Sequence, residues 1–95
     1  MSDDSLRLDK WLFHARIFKS RSLAAERIEA GGVRLNGQPC RKPGRAVKPG
    51  DIITISARGR VRELRLLAPG TRRGPAAEAA TLYDDMSQDG ASPLE

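Results

Sequence analysis

The stretch Arg7-Leu8-Asp9-Lys10-Trp11-Leu12, followed a short interval later by Lys19-Ser20-Arg21-Ser22, decides how this chain is read. Leu8, Leu12 and Ala15 recur at i, i+4 and i+7, flanked by Trp11 and Phe18. That is the apolar stripe of a helix, expected over Leu6–Phe18. At about 100° per residue, Arg7, Lys10 and His14 share an adjacent edge. Asp9 falls on the opposite side from Arg7; its expected role is local, as dipole compensation or an ion pair with a nearby Arg. A second helix is expected over Arg21–Ala30, with Ser20 as N-cap. Leu23, Ala24 and Ile28 form its inner face, and Gly31 is free to take the left-handed conformation that ends it. A link of a residue or two makes the helices a tight αα corner. Cations on two adjacent helical edges, beside a helix N-terminus whose first N–H groups lack acceptors, suit a phosphodiester backbone.

The charge balance reinforces this reading. The 95 residues carry a formal charge of +5. Residues 6–75 hold all 17 Lys and Arg against five acids (Asp9, Glu26, Glu29, Asp51, Glu63), a net +12. Such a field attracts polyanions across roughly a Debye length, ~8 Å at physiological salt. Acids at both ends restore the smaller total. Cys40 is the sole cysteine, so no intrachain disulfide forms. No apolar run approaches the ~20 residues of a membrane span. The N-terminus Met-Ser-Asp-Asp-Ser has no apolar signal core, and a cytoplasmic location without membrane contact is expected.

After the second helix the texture changes. Val33-Arg34-Leu35 reads as a strand, and Asn36-Gly37 as a hairpin turn. Residues 38–50 read as an irregular basic loop with a short strand near Ala46-Val47. Ile52–Ser56 and Val61–Leu67 read as strands joined by the turn Arg58-Gly59-Arg60. The result is an α+β domain over 6–68, two helices on a small, mostly antiparallel sheet. Residues 69–86 read as a loop and a final helix over about 75–86. Pro75 suits its first position, and Ala79, Leu82, Tyr83 and Met86 form its docking face. Asp84 and Asp85 near its end oppose the dipole. Residues 1–5 and the acidic stretch 87–95 read as disordered.

Two clusters carry the chemistry. The first is the start of the second helix, where Lys19, Ser20, Arg21 and Ser22 surround free backbone donors, next to the Arg7–Lys10–His14 edge. The second is the loop Arg41-Lys42-Pro43-Gly44-Arg45 with nearby Lys48, whose guanidinium groups suit sugar-phosphate. Trp11 is read as core rather than a base-stacking surface. No strand carries the paired aromatics of a base-stacking sheet. One histidine builds no triad, and Cys40 with His14 makes no zinc site. No P-loop spacing is present. The expectation is a non-catalytic protein without cofactor or metal.

The ordered residues Arg7-Leu8-Asp9-Lys10-x-Leu12, Ser20-Arg21-Ser22-x-Ala24, Ile28-x-x-Gly31-x-Val33-x-Leu35-Asn36-Gly37, Lys42-Pro43 and Gly50-Asp51-x-Ile53 resemble the S4 RNA-binding domain. The resemblance covers about residues 6–56. It implies an S4-type fold that binds structured RNA, with contacts on Arg7, Lys10, Lys19, Ser20, Arg21 and the Lys42 loop. The opening motif, together with Arg72-Arg73-Gly74-Pro75-Ala76-x-Glu78-Ala79-Ala80-x-Leu82-Tyr83, is similar to the ribosome-associated heat shock protein 15 family. That similarity implies binding to free large ribosomal subunits carrying peptidyl-tRNA, in stress recovery, and to RNA and DNA generally. Those proteins often carry a long basic C-terminal extension, where this chain has an acidic tail. The expected partners are ribosomal RNA, tRNA, the large subunit and DNA, met by a monomer. The alternative is an RNA-docking module serving a separate RNA-modifying enzyme, as S4-type domains do in pseudouridine synthases and tyrosyl-tRNA synthetases.

Overall fold

Leu6–Arg7 does not begin a helix. In the computed structural model, which describes residues 5–57 and 59–86, these two residues form strand β1. Arg7 is extended, with φ −61° and ψ 140°, and α1 runs over Leu8–His14. Both ends of the expected Leu6–Phe18 helix are cut back, each for a physical reason. At the front, the Leu8 and Asp9 N–H groups donate to the carbonyls of Arg45 and Pro43, at 2.9 and 3.1 Å. A distant loop thus supplies the acceptors that a preceding helical turn would have used. At the back, Ile17 would lie half a turn from Leu8 on a continued helix, facing water. The chain instead leaves the helix at Ala15, and Arg16 takes φ +60°. Ile17 and Phe18 then turn into the core, 2% and 5% exposed. The link to the next helix is therefore residues 15–20, longer than the sequence suggests.

Helix α2 spans Arg21–Glu29. Its N-cap is Ser20, whose Oγ accepts from the Leu23 N–H at 3.1 Å. Ala24 and Ile28 are buried as expected, but Leu23 is exposed. Gly31, with φ +92°, turns the chain out of the helix. Strands β2 (Val33–Leu35) and β3 (Gln38–Pro39) follow, joined through Asn36 and Gly37 at φ +51° and +82°. Both signs match a two-residue primed hairpin turn, which Asn-Gly adopts readily.

Strand β4 (Ala46–Val47) returns to pair with β1, Leu6 opposite Val47 and Arg7 opposite Ala46. Strands β5 (Ile52–Ala57) and β6 (Arg60–Leu66) complete the middle of a second, fully antiparallel sheet. Pairing puts Val33, Leu35, Ile53, Ile55, Leu64 and Leu66 on one buried face. Both helices supply the facing side of this core through Leu8, Trp11, Leu12, Ala24 and Ile28. Trp11 is fully buried and its indole N–H donates to the Ala68 carbonyl at 3.1 Å, so it is a core residue, as the sequence indicates.

The C-terminal segment corrects the expected helix over 75–86. Helix α3 holds only Ala76–Ala79, followed by a 3-10 turn over Ala80–Leu82 and strand β7, Tyr83–Asp85. Strand β7 closes the sheet in the order β3-β2-β5-β6-β7. Two acids near a helix C-terminus oppose its dipole. On β6 they meet cations instead: Asp84 lies opposite Arg65, and Asp85 accepts from Arg62 at 2.7 Å. Burial alone would lower the Arg62 pKa; hydrogen bonding to Asp85 and Tyr83 outweighs it and raises the value, so Arg62 stays charged. Of the expected docking face, Ala79 and Leu82 are buried, whereas Met86 is exposed. The expected stretches 1–4 and 87–95, and Arg58 of the β5–β6 turn, lie outside the described residues. No helix among the described residues is long and apolar enough to cross a membrane.

Gly70 and Gly50 both have positive φ, at +74° and +97°. A Cβ on Gly70 would also meet Leu82 Cδ1 at 2.9 Å, whereas one on Gly50 meets nothing within 4 Å. Gly50→Ala is expected to cost about 1 kcal/mol and Gly70→Ala roughly 2–3 kcal/mol. Urea unfolding midpoints of the two variants check the order.

Candidate nucleic-acid interface

Asp9 is the centre of the site. It is 4% exposed, yet its carboxylate is the meeting point of two arginines from different elements. Arg7 donates through Nε to Oδ1 and through Nη2 to Oδ2, each at 3.2 Å. Arg21 Nη2 lies 3.7 Å from Oδ2. The sequence places Asp9 opposite Arg7; the structure corrects this. Because Arg7 sits in β1 rather than in the helix, its side chain folds over the first turn of α1. The expected ion pair with a nearby Arg is what forms. Donation of hydrogen bonds to Asp9, and then the Asp9 charge, raise the pKa of the exposed Arg7 guanidinium.

The basic loop joins the same point. A Cβ placed on Gly44 would lie 3.6 Å from Arg7 Cζ, so the loop backbone runs against that guanidinium. The bonds from Leu8 and Asp9 to Arg45 and Pro43 hold the loop over the start of α1. Arg7, the N-terminus of α2 and the Lys42–Arg45 loop are distant in sequence. Here they converge around one carboxylate.

The remaining sequence-predicted residues divide. Lys19, Ser22, Lys42, Arg45 and Lys48 are exposed, and Lys10 is half-buried on the outer side of α1. Ser20 spends an oxygen lone pair on the cap and keeps its hydroxyl proton to donate. Arg41 is exposed but lies over Gly31, its Nη2 3.0 Å from the position of an added Cβ, at the far end of α2. Arg45 and Lys48 line a groove of about 320 Å³ beside Asn36 and Asp51. His14 does not join the Arg7–Lys10 edge: it is 4% exposed, with Nδ1 3.2 Å from the Pro69 carbonyl. The incoming C-terminal segment covers it, which a helical projection of α1 does not reveal.

Sequence reasoning missed Arg16, Phe13 and Arg73 at the other end of α1. Arg16 donates from Nε to the Gly74 carbonyl at 2.6 Å, and Arg73 Cζ lies 5.1 Å from the Phe13 ring centre. Ile17 on the polar side of α1 was the signal that the chain turns at Arg16.

The geometry defines a small α+β domain whose basic rim is organised by two helices and a loop. A model of the S4 domain family matches residues 6–53, and the chain belongs to that family. Within it, the chain is similar to the Heat shock protein 15 homolog of Aeromonas salmonicida, 45% identical over 80 residues, 84% of this chain and 60% of that one. It is also similar to the RQC P-site tRNA stabilizing factor of Helicobacter pylori, 33% identical over 78 residues, 82% of this chain and 92% of that one. The solved Heat Shock Protein 15 of Vibrio cholerae, described as trimeric, superposes with a TM-score of 0.80 at 38% identity, covering 86% of this chain and 82% of that one. The chain spans about three fifths of the length of the Heat shock protein 15 relatives, 60% and 62%.

The buried carboxylate carries the convergence while its arginines remain exposed. Asp9→Asn is therefore expected to lower the melting temperature more than Arg7→Gln or Arg21→Gln, on the order of 5 °C for a domain of this size. Thermal unfolding by circular dichroism of the three variants checks this.

Proposed function

We propose that this chain is a non-catalytic RNA-binding protein that docks on ribosomal RNA of the large ribosomal subunit, in a state that carries tRNA, during stress. The observation that supports this reading most is the convergence of Arg7, Arg21 and the Lys42–Arg45 loop on Asp9. It sets several exposed cations beside the N-terminus of α2, where free N–H groups and the helix dipole favour phosphate. The proposed face consists of Arg7, Lys10, Lys19, Ser20, Arg21, Ser22, Lys42 and Arg45, with Arg41 and Lys48 at its margins. Such a rigid face reads the shape of folded RNA through its phosphates rather than base edges. DNA offers the same phosphate chemistry and is bound more weakly on this reading.

The names of the relatives point the same way. One group is named for heat shock, and the Helicobacter pylori protein for stabilizing P-site tRNA. The sole histidine is packed against Pro69, which supports docking without catalysis. On this reading the protein works in the cytoplasm, one copy per RNA site. Light scattering of the complex with large-subunit RNA tests the copy number against the trimer described for the Vibrio cholerae relative.

Binding to large-subunit ribosomal RNA should weaken steeply with salt as counterions are released and recaptured. Arg21→Ala should flatten the slope of log K against log salt by about one unit. Fluorescence anisotropy across a salt series measures both. A complex insensitive to salt overturns the reading.

A further inference from the structure

We propose that Arg73, lying over Phe13, forms with Arg16 a second nucleotide site, which takes one unpaired base on the outer face of the Arg73 guanidinium and its phosphate on Arg16. The inference rests on the RNA-binding reading and names a separate contact within it.

Phe13 lies on the outward side of α1, half-buried, one turn beyond Asp9. At 1.5 Å per residue that is about 6 Å along the helix from the Asp9 convergence. A strand leaving the phosphate-binding rim along α1 reaches Phe13 next. Arg73 is held over the ring, Cζ 5.1 Å from its centre. Guanidinium planes stacked on aromatic rings leave a second planar face free. Unpaired bases stack on such faces in RNA recognition.

Arg73 differs from Arg62, the other arginine over an aromatic ring, in its charge partner. Arg7 and Arg21 pair with Asp9, Arg62 with Asp85, and Arg72 with Glu78. Among the described residues Arg73 has no carboxylate partner, and its Nε is buried without an acceptor. Docking of the C-terminal segment does not by itself require this contact. That docking is already supplied by Trp11 donating to the Ala68 carbonyl and Arg16 to the Gly74 carbonyl. Arg16 adds a second cation. Its Nε is fixed by Gly74 and its backbone by φ +60°, which leaves both Nη groups without a partner among the described residues.

The test is an abasic scan. A stem-loop RNA is prepared with each loop nucleotide in turn replaced by an abasic site. Anisotropy is measured for the wild-type protein, Arg73→Lys and Phe13→Leu. Arg73→Lys keeps the charge and removes the plane; Phe13→Leu keeps an apolar side chain and removes the ring. At one loop position the abasic RNA should bind the wild type about tenfold more weakly, within the range of a single base–side-chain stack. The same RNA should cost both variants no more than about twofold, because the stack is already lost. The salt slope of Arg73→Lys should match that of the wild type. If every abasic RNA affects wild type and Arg73→Lys equally, the site is overturned while RNA binding stands. If the wild type shows no salt-dependent binding to the intact stem-loop, the RNA-binding reading itself fails. Arg73→Lys alters a partly exposed side chain, so it reports even if Phe13→Leu does not fold.

Discussion

A single buried carboxylate organises the basic rim of this protein. Asp9 lies on the first turn of α1, almost without exposure, and holds Arg7 from β1 and Arg21 from α2. Exposed cations repel one another and wander when nothing fixes them. One acid beneath them reduces the repulsion and fixes direction, at the cost of one unit of net charge. The backbone repeats the arrangement at the same point, with the Leu8 and Asp9 N–H groups accepted by the loop that carries Lys42 and Arg45. Strand, helix and loop are joined there by side-chain and main-chain bonds together. Charge-assisted hydrogen bonds to a buried acceptor are worth more than exposed ion pairs, so the exposed arginines gain their order from the buried partner.

The second organising element is the return of the C-terminal segment. It covers the side of α1 away from α2, where Trp11 and His14 meet the carbonyls of Ala68 and Pro69. It then adds β7 to the sheet through Tyr83, Asp84 and Asp85. An edge strand with acidic side chains suits a neighbour as basic as β6, with Arg62 and Arg65. Among the described residues, the acids of this segment are spent on sheet closure, through Asp84 and Asp85, and on Arg72, through Glu78.

The sequence was most legible where structure is set locally. Ser20 as a cap, Gly31 as a stop, and Asn36-Gly37 as a turn are decided within a few residues, and each stands where the pattern puts it. The core face of Ile53 and Ile55 follows from simple alternation, and Trp11 from its place beside the apolar stripe. Three of the failures share one cause, which is pairing with distant segments. Arg7 leaves the helix because β4 claims it, and His14 is hidden because Pro69 arrives from the far end of the chain. Tyr83-Asp84-Asp85 follows a helical spacing and becomes a strand because β6 offers an open edge. The end of α1 was legible in principle: Ile17 falls on the polar side, and a buried Ile there requires the helix to stop.

The geometry also explains why a short helix serves this rim better than a long one. Continued to Phe18, α1 would carry Arg16 onward in helical register and expose Ile17. Ending at His14, it frees Arg16 to turn back through a left-handed residue onto the Gly74 carbonyl. The break buries Ile17 and fixes one cation in the same step. The left-handed conformation costs roughly 1–2 kcal/mol for a residue with a side chain. Burying Ile17 returns about 1.5–3 kcal/mol. The strained arginine is therefore held by the core beneath it, and its position at the end of α1 follows from hydrophobic packing.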